Sequence, residues 1–381
     1  MAYFDNAATT YPKPTVVYNF MDKFYRESGA NAGRGNYLIA QGANRLIAET
    51  RELIKELLHC PAKQVVFTPT ATIALNMILQ GLVKLGIKRV YISPFEHNAV
   101  TRTLHAFERN GTIRVFELAV SADLKYDLER IKYQFDYNKP DLVVVSHASN
   151  VIGLVAPIEN IFILAKKYDS LTIADMSQSA GLVDCNVGLS IFDFAVFAGH
   201  KTLYGPTGIS GFVMNQEIKI PSILYGGTGS ESANQDMPES LPERFEMGTF
   251  NISGIAGLNA ALKWNKEIGI ESISKKENDN REKLISILQE YDWLKIVGYI
   301  PGNCYVGIVS CLIAGISSDS ADTIFNERGI AVRTGLQCAP LAHKFLGTFP
   351  AGTVRLSVSY FTSEDDFDEL KKALDFIEDN L

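Results

Sequence analysis

From about residue 60 to residue 200 the chain alternates short β-branched runs with stretches whose apolar residues recur every three or four positions. QVVFT (64–68) reads as a strand and ATIALNMILQGLVKLG (71–86) as a helix. KRVYIS (88–93), TIRVFEL (112–118) and DLVVVSH (141–147) read as further buried strands, IENIFILAKKY as a helix, and SLTIAD as the strand after it. Such alternation predicts an α/β fold whose mostly parallel sheet is covered by helices on both faces. Near residue 250 the rhythm changes. A helical stretch covers 253–290, CYVGIVSCLIAG (304–315) reads as a strand, SDSADTIFNERG as a helix closed by Gly329, and TVRLSVS (353–359) as another strand. The closing helix, TSEDDFDELKKALDFI, carries two capping spacings, Thr362 with Asp365 and Ser363 with Asp366. The expectation is a large α/β domain over 15–250 and a smaller α+β domain made of 1–14 and 251–381.

Length agrees with two domains, since 381 residues exceed what one hydrophobic core sustains. A net charge of −7 speaks against nucleic acid as the main partner, because phosphate backbones are bound by basic patches. No stretch approaches the ~20 apolar residues of a membrane helix, and MAYFDNAATTYPKP lacks the basic and apolar regions of a secretory signal. Cys60, Cys185, Cys304, Cys311 and Cys338 are odd in number and scattered, so neither a disulfide framework nor a structural metal site is expected. A reducing cytoplasm fits that usage.

In open α/β sheets ligands bind beyond the carboxyl ends of the strands. Each apolar run here gives way to polar residues: Thr70 and Thr72, then Glu96-His97-Asn98, Ser146-His147 leading to Asn150, Asp175 leading to Gln178, and His200-Lys201 after FDFAVFAG. Five strand ends in succession suggest one assembled pocket. Lys201 taken alone would be a loop-tip residue in water, and Asp175 a helix cap or surface acid. Together they suit pyridoxal phosphate, which needs a lysine for a Schiff base and a carboxylate against its ring nitrogen. Its phosphate needs hydroxyls and amides at a helix N-terminus, which TPTAT before IALNMILQ offers. GHKT lacks the earlier glycine of a P-loop, and GGTGS (226–230) lacks the strand–turn–helix context of a dinucleotide fingerprint.

With these residues in hand the chain resembles the class V aminotransferase-type enzymes of fold type I, and among them the cysteine desulfurases and selenocysteine lyases. The resemblance runs through YFDNAATT (3–10), FTPTATIALN (67–76), EHNA (96–99), SHASNVIG (146–153), DMSQSAG (175–181), GHKTLYGPTG (199–208), RFEMGTFN (244–251), RTGLQCAP (333–340) and VRLSVS (354–359). It implies pyridoxal phosphate on Lys201, His97 stacked on the ring, Asp175 against the ring nitrogen, and Asn150 and Gln178 near the ring oxygen. Thr70, Ala71 and Thr72 would sit at the cofactor, with Thr72 and His200 on its phosphate and the partner subunit's Thr249 reaching the same group in a homodimer. Ala8, Asn150, Arg333 and Arg355 would face the substrate, Arg355 binding its carboxylate. Cys338, in a short R-x-G-x-x-C loop, would accept the sulfur of L-cysteine. Ala198, Phe250 and Met176-Ser177 depart from the usual pattern.

Each residue also has a plainer reading. Cys338 could be a small buried hydrophobe, Arg355 a sheet-edge arginine, His97 a satisfied core histidine, and His343 either a tuner of Cys338 or a solvated helix residue. Arg34 in NAGRGNY is a candidate for closing the pocket. Cys304 and Cys311, inside strand-like runs, are read as structural along with Cys60 and Cys185. The activity the resemblance implies is conversion of L-cysteine to L-alanine with a persulfide on Cys338 passed to an acceptor, a protein among the candidates. Selenocysteine lyase, another lyase or aminotransferase of this fold, and a non-catalytic scaffold stay open at this point.

Overall fold

The computed structural model describes residues 1–30, 32, 37–229, 231 and 233–380. Arg34 lies outside them. The chain opens with a two-residue strand, β1 (Ala2–Tyr3), and two helices, α1 (Thr15–Ser28) and α2 (Leu38–Leu57). Seven strands come next: β2 (Gln64–Thr68), β3 (Arg89–Ile92), β4 (Arg114–Glu117), β5 (Leu142–Ser146), β6 (Leu171–Asp175), β7 (Phe194–Ala198) and β8 (Ser210–Met214). Helices α3 (Ala71–Lys84), α4 (Asn98–Arg109), α5 (Leu128–Tyr137) and α6 (Ile158–Lys166) lie in their connections. The strands form one sheet in the order β2-β8-β7-β6-β5-β3-β4. All neighbours are parallel except β8, which is antiparallel to both β2 and β7.

Alternate residues along each strand feed two separate cores, as the pleat requires. Val65, Tyr91, Val143 and Ala195 pack on one side with residues of α2, α5 and α6; Val66, Val90, Val144 and Val196 pack on the other with residues of α3 and α4. With both faces covered, polar groups gather beyond the carboxyl ends of the parallel strands. The expected buried strand 112–118 is instead the edge strand β4, with Arg114 and Glu117 exposed.

The helical stretch after 250 is two helices, α7 (Ile252–Ile268) and α8 (Ile270–Leu288), broken at Gly269, whose φ of 85° a helix cannot accommodate. Beyond them come β9 (Leu294–Val297), β10 (Ile308–Ile313), α9 (Ser318–Glu327), β11 (Ile330–Ala331), β12 (Arg333–Gly335), α10 (Pro340–Phe345), β13 (Thr353–Ser357) and α11 (Glu364–Glu378). A four-stranded antiparallel sheet runs β12-β13-β10-β9, and β1 pairs in parallel with β11. Its core joins Phe4 to Leu284, Val309, Phe325, Leu356 and Phe367. Cys304 is exposed and outside any strand, contrary to the sequence reading. Residues 304–306 bond to 153–155 (Val155 N to Cys304 O and Val306 N to Gly153 O, each 2.9 Å), which draws them away from the small sheet. Of the two capping spacings only Ser363–Asp366 caps α11; the Thr362 hydroxyl accepts from Ser359 N instead. Among the described residues no helix is long and apolar enough to cross a membrane and no His/Cys/Asp/Glu cluster could hold a metal ion.

Candidate active site

The ends of β2, β3, β5, β6 and β7 converge on one cavity of about 480 Å³. Thr70, Ala71, Thr72, His97, Ser146, Asn150, Asp175, Gln178, His200 and Lys201 line it from the large sheet. Ala8 from the N-terminal segment, Arg333 and Arg355 from the small sheet and Cys338 from the loop after β12 close it. Glu96, Asn98 and His147, polar residues at the same strand ends, do not line it. Thr249 is exposed and lines a different, largely apolar cavity beside Phe67 and Phe250.

Lys201 follows β7 by way of Gly199, where a Cβ would stand 2.4 Å from the Ile209 carbonyl; only glycine lets the turn lie against β8. Lys201 is half-buried, and among the described residues its amine has neither an ion pair nor a hydrogen bond. Burial lowers its pKa to about 8, while the nearby Asp175 charge acts against the fall. The N-terminal segment fixes the backbone on either side. Thr10 N, Thr9 Oγ1 and Lys13 Nζ all donate to the His200 carbonyl (3.1, 3.1 and 2.6 Å), and Thr10 Oγ1 donates to that of Lys201 (2.7 Å).

Asp175 ends β6. Its Oδ1 accepts from Ser177 N (3.0 Å) and Ser177 Oγ (2.5 Å), so the serine that departs from the usual pattern orients the carboxylate. Oδ2 accepts no hydrogen bond from a described residue. At the opposite end Thr70 caps α3 by accepting from Ile73 N (3.2 Å), which leaves the Ala71 and Thr72 amides free at the positive end of the helix. His200 beside them keeps a buried Nδ1 without a partner; burial first, then the Lys201 and Lys13 charges, hold its pKa down to about 4. His97 caps α4, its Nδ1 accepting from Ala99 N (3.0 Å). Burial first and then the Lys201 charge hold its imidazole below the ordinary value, and with Nδ1 accepting, the neutral ring carries its proton on Nε2.

Arg355 is no edge residue: β13 lies inside its sheet, and the side chain is 3% exposed. Nη2 pairs with Asp5 (2.9 Å) and Nη1 donates to the Asn150 carbonyl (2.9 Å), while Nε is buried without a partner. Arg333, half-exposed at the rim, stands 3.4 Å from the other oxygen of Asp5. Asn150 and Gln178 are committed to the frame: Asn150 Nδ2 donates to the Gln337 carbonyl (2.7 Å) and Gln178 Nε2 to that of Ala7 (2.8 Å).

Cys338 is exposed at the cavity wall, not a buried hydrophobe. His343 is not solvated, and both its ring nitrogens are engaged away from the thiol. It is fully buried, bonded to Gln337 Oε1 (2.8 Å) and Thr348 Oγ1 (2.7 Å). Sequence reasoning missed Asp5, Ser177 and Gln337. Each lies in a motif quoted above, YFDNAATT, DMSQSAG and RTGLQCAP, but no motif disclosed the contact it makes. The cavity thus presents an unpaired amine, a carboxylate, an anion cradle, an arginine with a free donor and an accessible thiol.

The family model Aminotransferase class-V matches residues 2–370. A protein of Methanothermobacter thermautotrophicus described as a probable cysteine desulfurase is 32% identical, the alignment covering 98% of this chain and 94% of that one. A probable cysteine desulfurase of Pyrococcus abyssi is 31% identical over 95% of this chain and 90% of its own. The solved apo structure of a cysteine desulfurase from Thermococcus onnurineus superimposes with a TM-score of 0.90 at 28% identity, covering 100% of this chain and 95% of that chain.

Proposed function

The chain belongs to the class-V aminotransferase family, and from that premise we propose that it is a cysteine desulfurase, taking sulfur from L-cysteine, releasing L-alanine and holding the sulfur as a persulfide on Cys338. The observation that carries this reading is that Lys201, Asp175, His97, Arg355 and Cys338, from five separate segments, line one cavity.

The donor set fits pyridoxal phosphate. The orphaned His200 Nδ1 and the free Ala71 and Thr72 amides suit a phosphate; the Asp175 carboxylate suits a ring nitrogen, the His97 imidazole a ring face, and the unpaired Lys201 amine an aldehyde. Ala198 adds no hydroxyl, so Thr72 and His200 carry the phosphate, with the partner subunit's Thr249 joining them in a homodimer. When bound, the cofactor supplies an aldehyde that condenses with amines and a ring that accepts electrons released at the substrate Cα.

The remaining work falls to the chain's own groups. Arg355, with Nε free and Arg333 at the rim, binds the substrate carboxylate. Lys201, with its pKa down at about 8, takes the Cα proton; such help is typically worth ~10²–10⁴-fold. Cys338 as thiolate attacks the substrate sulfur, an S–S bond forming as the C–S bond breaks. A thiol that must stay free suits a reducing compartment such as the cytoplasm.

Alanine formed from L-cysteine by the purified protein, with sulfide released when a thiol reductant is added to reduce the persulfide, is the direct test. Cys338→Ser is expected to keep the cofactor absorbance and lose sulfur release, and borohydride is expected to fix the cofactor on Lys201. Full sulfur release by the serine variant, or a reduced adduct on another lysine, overturns the reading.

A further inference from the structure

Cys338 is held where it stands. Gln337 and Cys338 have φ of 39° and 56°, a conformation that side chains adopt only where the surroundings enforce it. Asn150 Nδ2 donates to the Gln337 carbonyl and Asn98 N to the Cys338 carbonyl, each at 2.7 Å. Gln337 Nε2 donates to the Thr353 carbonyl (3.0 Å), so its Oε1 must be the acceptor from His343 Nε2 (2.8 Å), and His343 Nδ1 accepts from the Thr348 hydroxyl (2.7 Å). A sulfur on a loop tied at four points does not swing out to meet a second substrate. The second substrate has to come to it.

Cys338 lines two cavities. One is the substrate cavity; the other is a groove of about 510 Å³ between α3 and α4, with His97 and Thr72 in the shared wall. That volume lies within the ~300–1,000 Å³ range of small-molecule sites. Amides of Asn76 and Asn98 line it, together with Arg102, and none of its lining residues is an Asp or Glu. Arg102 is exposed and makes no ion pair among the described residues, and its charge reaches His97. In a chain of net charge −7 this is a locally cationic groove.

We propose that the groove is the acceptor site: a small thiol bearing a carboxylate enters between α3 and α4, sets the carboxylate on Arg102, and brings its sulfur to the persulfide on Cys338. The proposal rests on the cysteine desulfurase reading. The acceptor thiolate attacks the terminal sulfur, and the S–S bond to Cys338 breaks. Its electron pair returns to Cys338 as thiolate, and the new S–S bond leaves as the acceptor persulfide. No oxidant is consumed. Donor and acceptor reach one fixed sulfur from two sides.

The test uses the holoenzyme and three thiols of similar size and different charge: mercaptopropionate, mercaptoethanol and cysteamine. KM for each is measured on wild type, Arg102→Gln and Arg102→Glu, and compared between proteins so that intrinsic thiol reactivity cancels. KM for mercaptopropionate relative to cysteamine is expected to rise roughly fivefold in Arg102→Gln and further in Arg102→Glu. The alanine burst is recorded for each protein. In parallel, resting enzyme is alkylated at Cys338 with iodoacetate and iodoacetamide; the ratio of the two rates is expected to fall in the same order. A normal burst with thiol preference and alkylation ratio unmoved by either variant overturns the acceptor site. So does turnover that saturates only with a protein thiol. An alkylation ratio that shifts in a protein showing no burst supports the groove as an anion-guiding approach to Cys338 while removing the cysteine reading.

Discussion

Individual side chains in and behind the cavity carry charges that burial opposes, and each such conflict has a measurable consequence. Glu96, fully buried behind His97, accepts from Ser93 Oγ (2.6 Å), Ser146 N (2.5 Å) and Ser146 Oγ (2.8 Å). Burial pushes its pKa up to about 7, and the Asp175 charge adds to the rise while the serine bonds resist it. Between the ordinary glutamate value of ~4.3 and that raised value the native state binds more protons than the unfolded chain, so stability falls as pH rises through the interval. Glu96→Gln keeps an acceptor oxygen and cannot ionise. Wild-type Tm is therefore expected to drop relative to the variant between about pH 5 and pH 8, and parallel Tm curves by calorimetry would exclude Glu96 as the ionising group. Arg355 makes a second case, because its two bonded nitrogens and its free Nε need the planar guanidinium fork. Arg355→Lys is expected to raise KM for L-cysteine by roughly tenfold or more, the loss of a charge-assisted bond, with the cofactor absorbance retained; an unchanged KM removes Arg355 as the carboxylate site.

At the scale of elements, what the sequence discloses depends on how far a contact reaches along the chain. QVVFT ends where it should because Pro69 cannot continue the ladder, and the strand ends could be read as a site because parallel strands share one carboxyl edge. The break at Gly269 is local too, but a lone glycine inside a helical pattern is weak punctuation. Nothing local signals that 304–306 pair with 153–155 or that Asp5 bridges to Arg355; those links span about two-fifths of the chain and nearly all of it. Ser177 looked like a departure from pattern until the turn brought its hydroxyl onto Asp175. Gly199 shows how an element transmits to the site. A methyl group there meets the Ile209 carbonyl at 2.4 Å, and β7 pairs with β8 immediately before it at Ala198 and Ser210. Gly199→Ala must part those backbones, at a cost of about 1–3 kcal/mol, and displace Lys201 two residues on. Urea denaturation is expected to show the loss and steady-state assay a lower kcat; a variant as stable and active as wild type would mean that β8 yields freely.

For the whole molecule the open question is how many chains complete one cavity. Within one chain the phosphate end offers the α3 amides, Thr72 and His200, and no hydroxyl from Ala198, while Thr249 sits exposed beside a separate cavity of about 470 Å³. The proposed homodimer, with the partner subunit's Thr249 at this end, would reconcile the two facts and make the active sites shared property. In such a dimer a Lys201→Ala chain spoils its own cavity but still lends Thr249, while a Thr249→Asp chain keeps its own lysine and sets a carboxylate against the other chain's phosphate. Each homodimer is then deficient. Mixed, unfolded together and refolded, they form heterodimers in which one cavity has both wild-type residues, so desulfuration is expected to recover to roughly a quarter of wild type for random pairing in a closed two-fold dimer. Sedimentation checks that the mixture is dimeric. A dimeric mixture that recovers nothing beyond the sum of its parents confines each active site to a single chain and leaves Thr249 without a part in it.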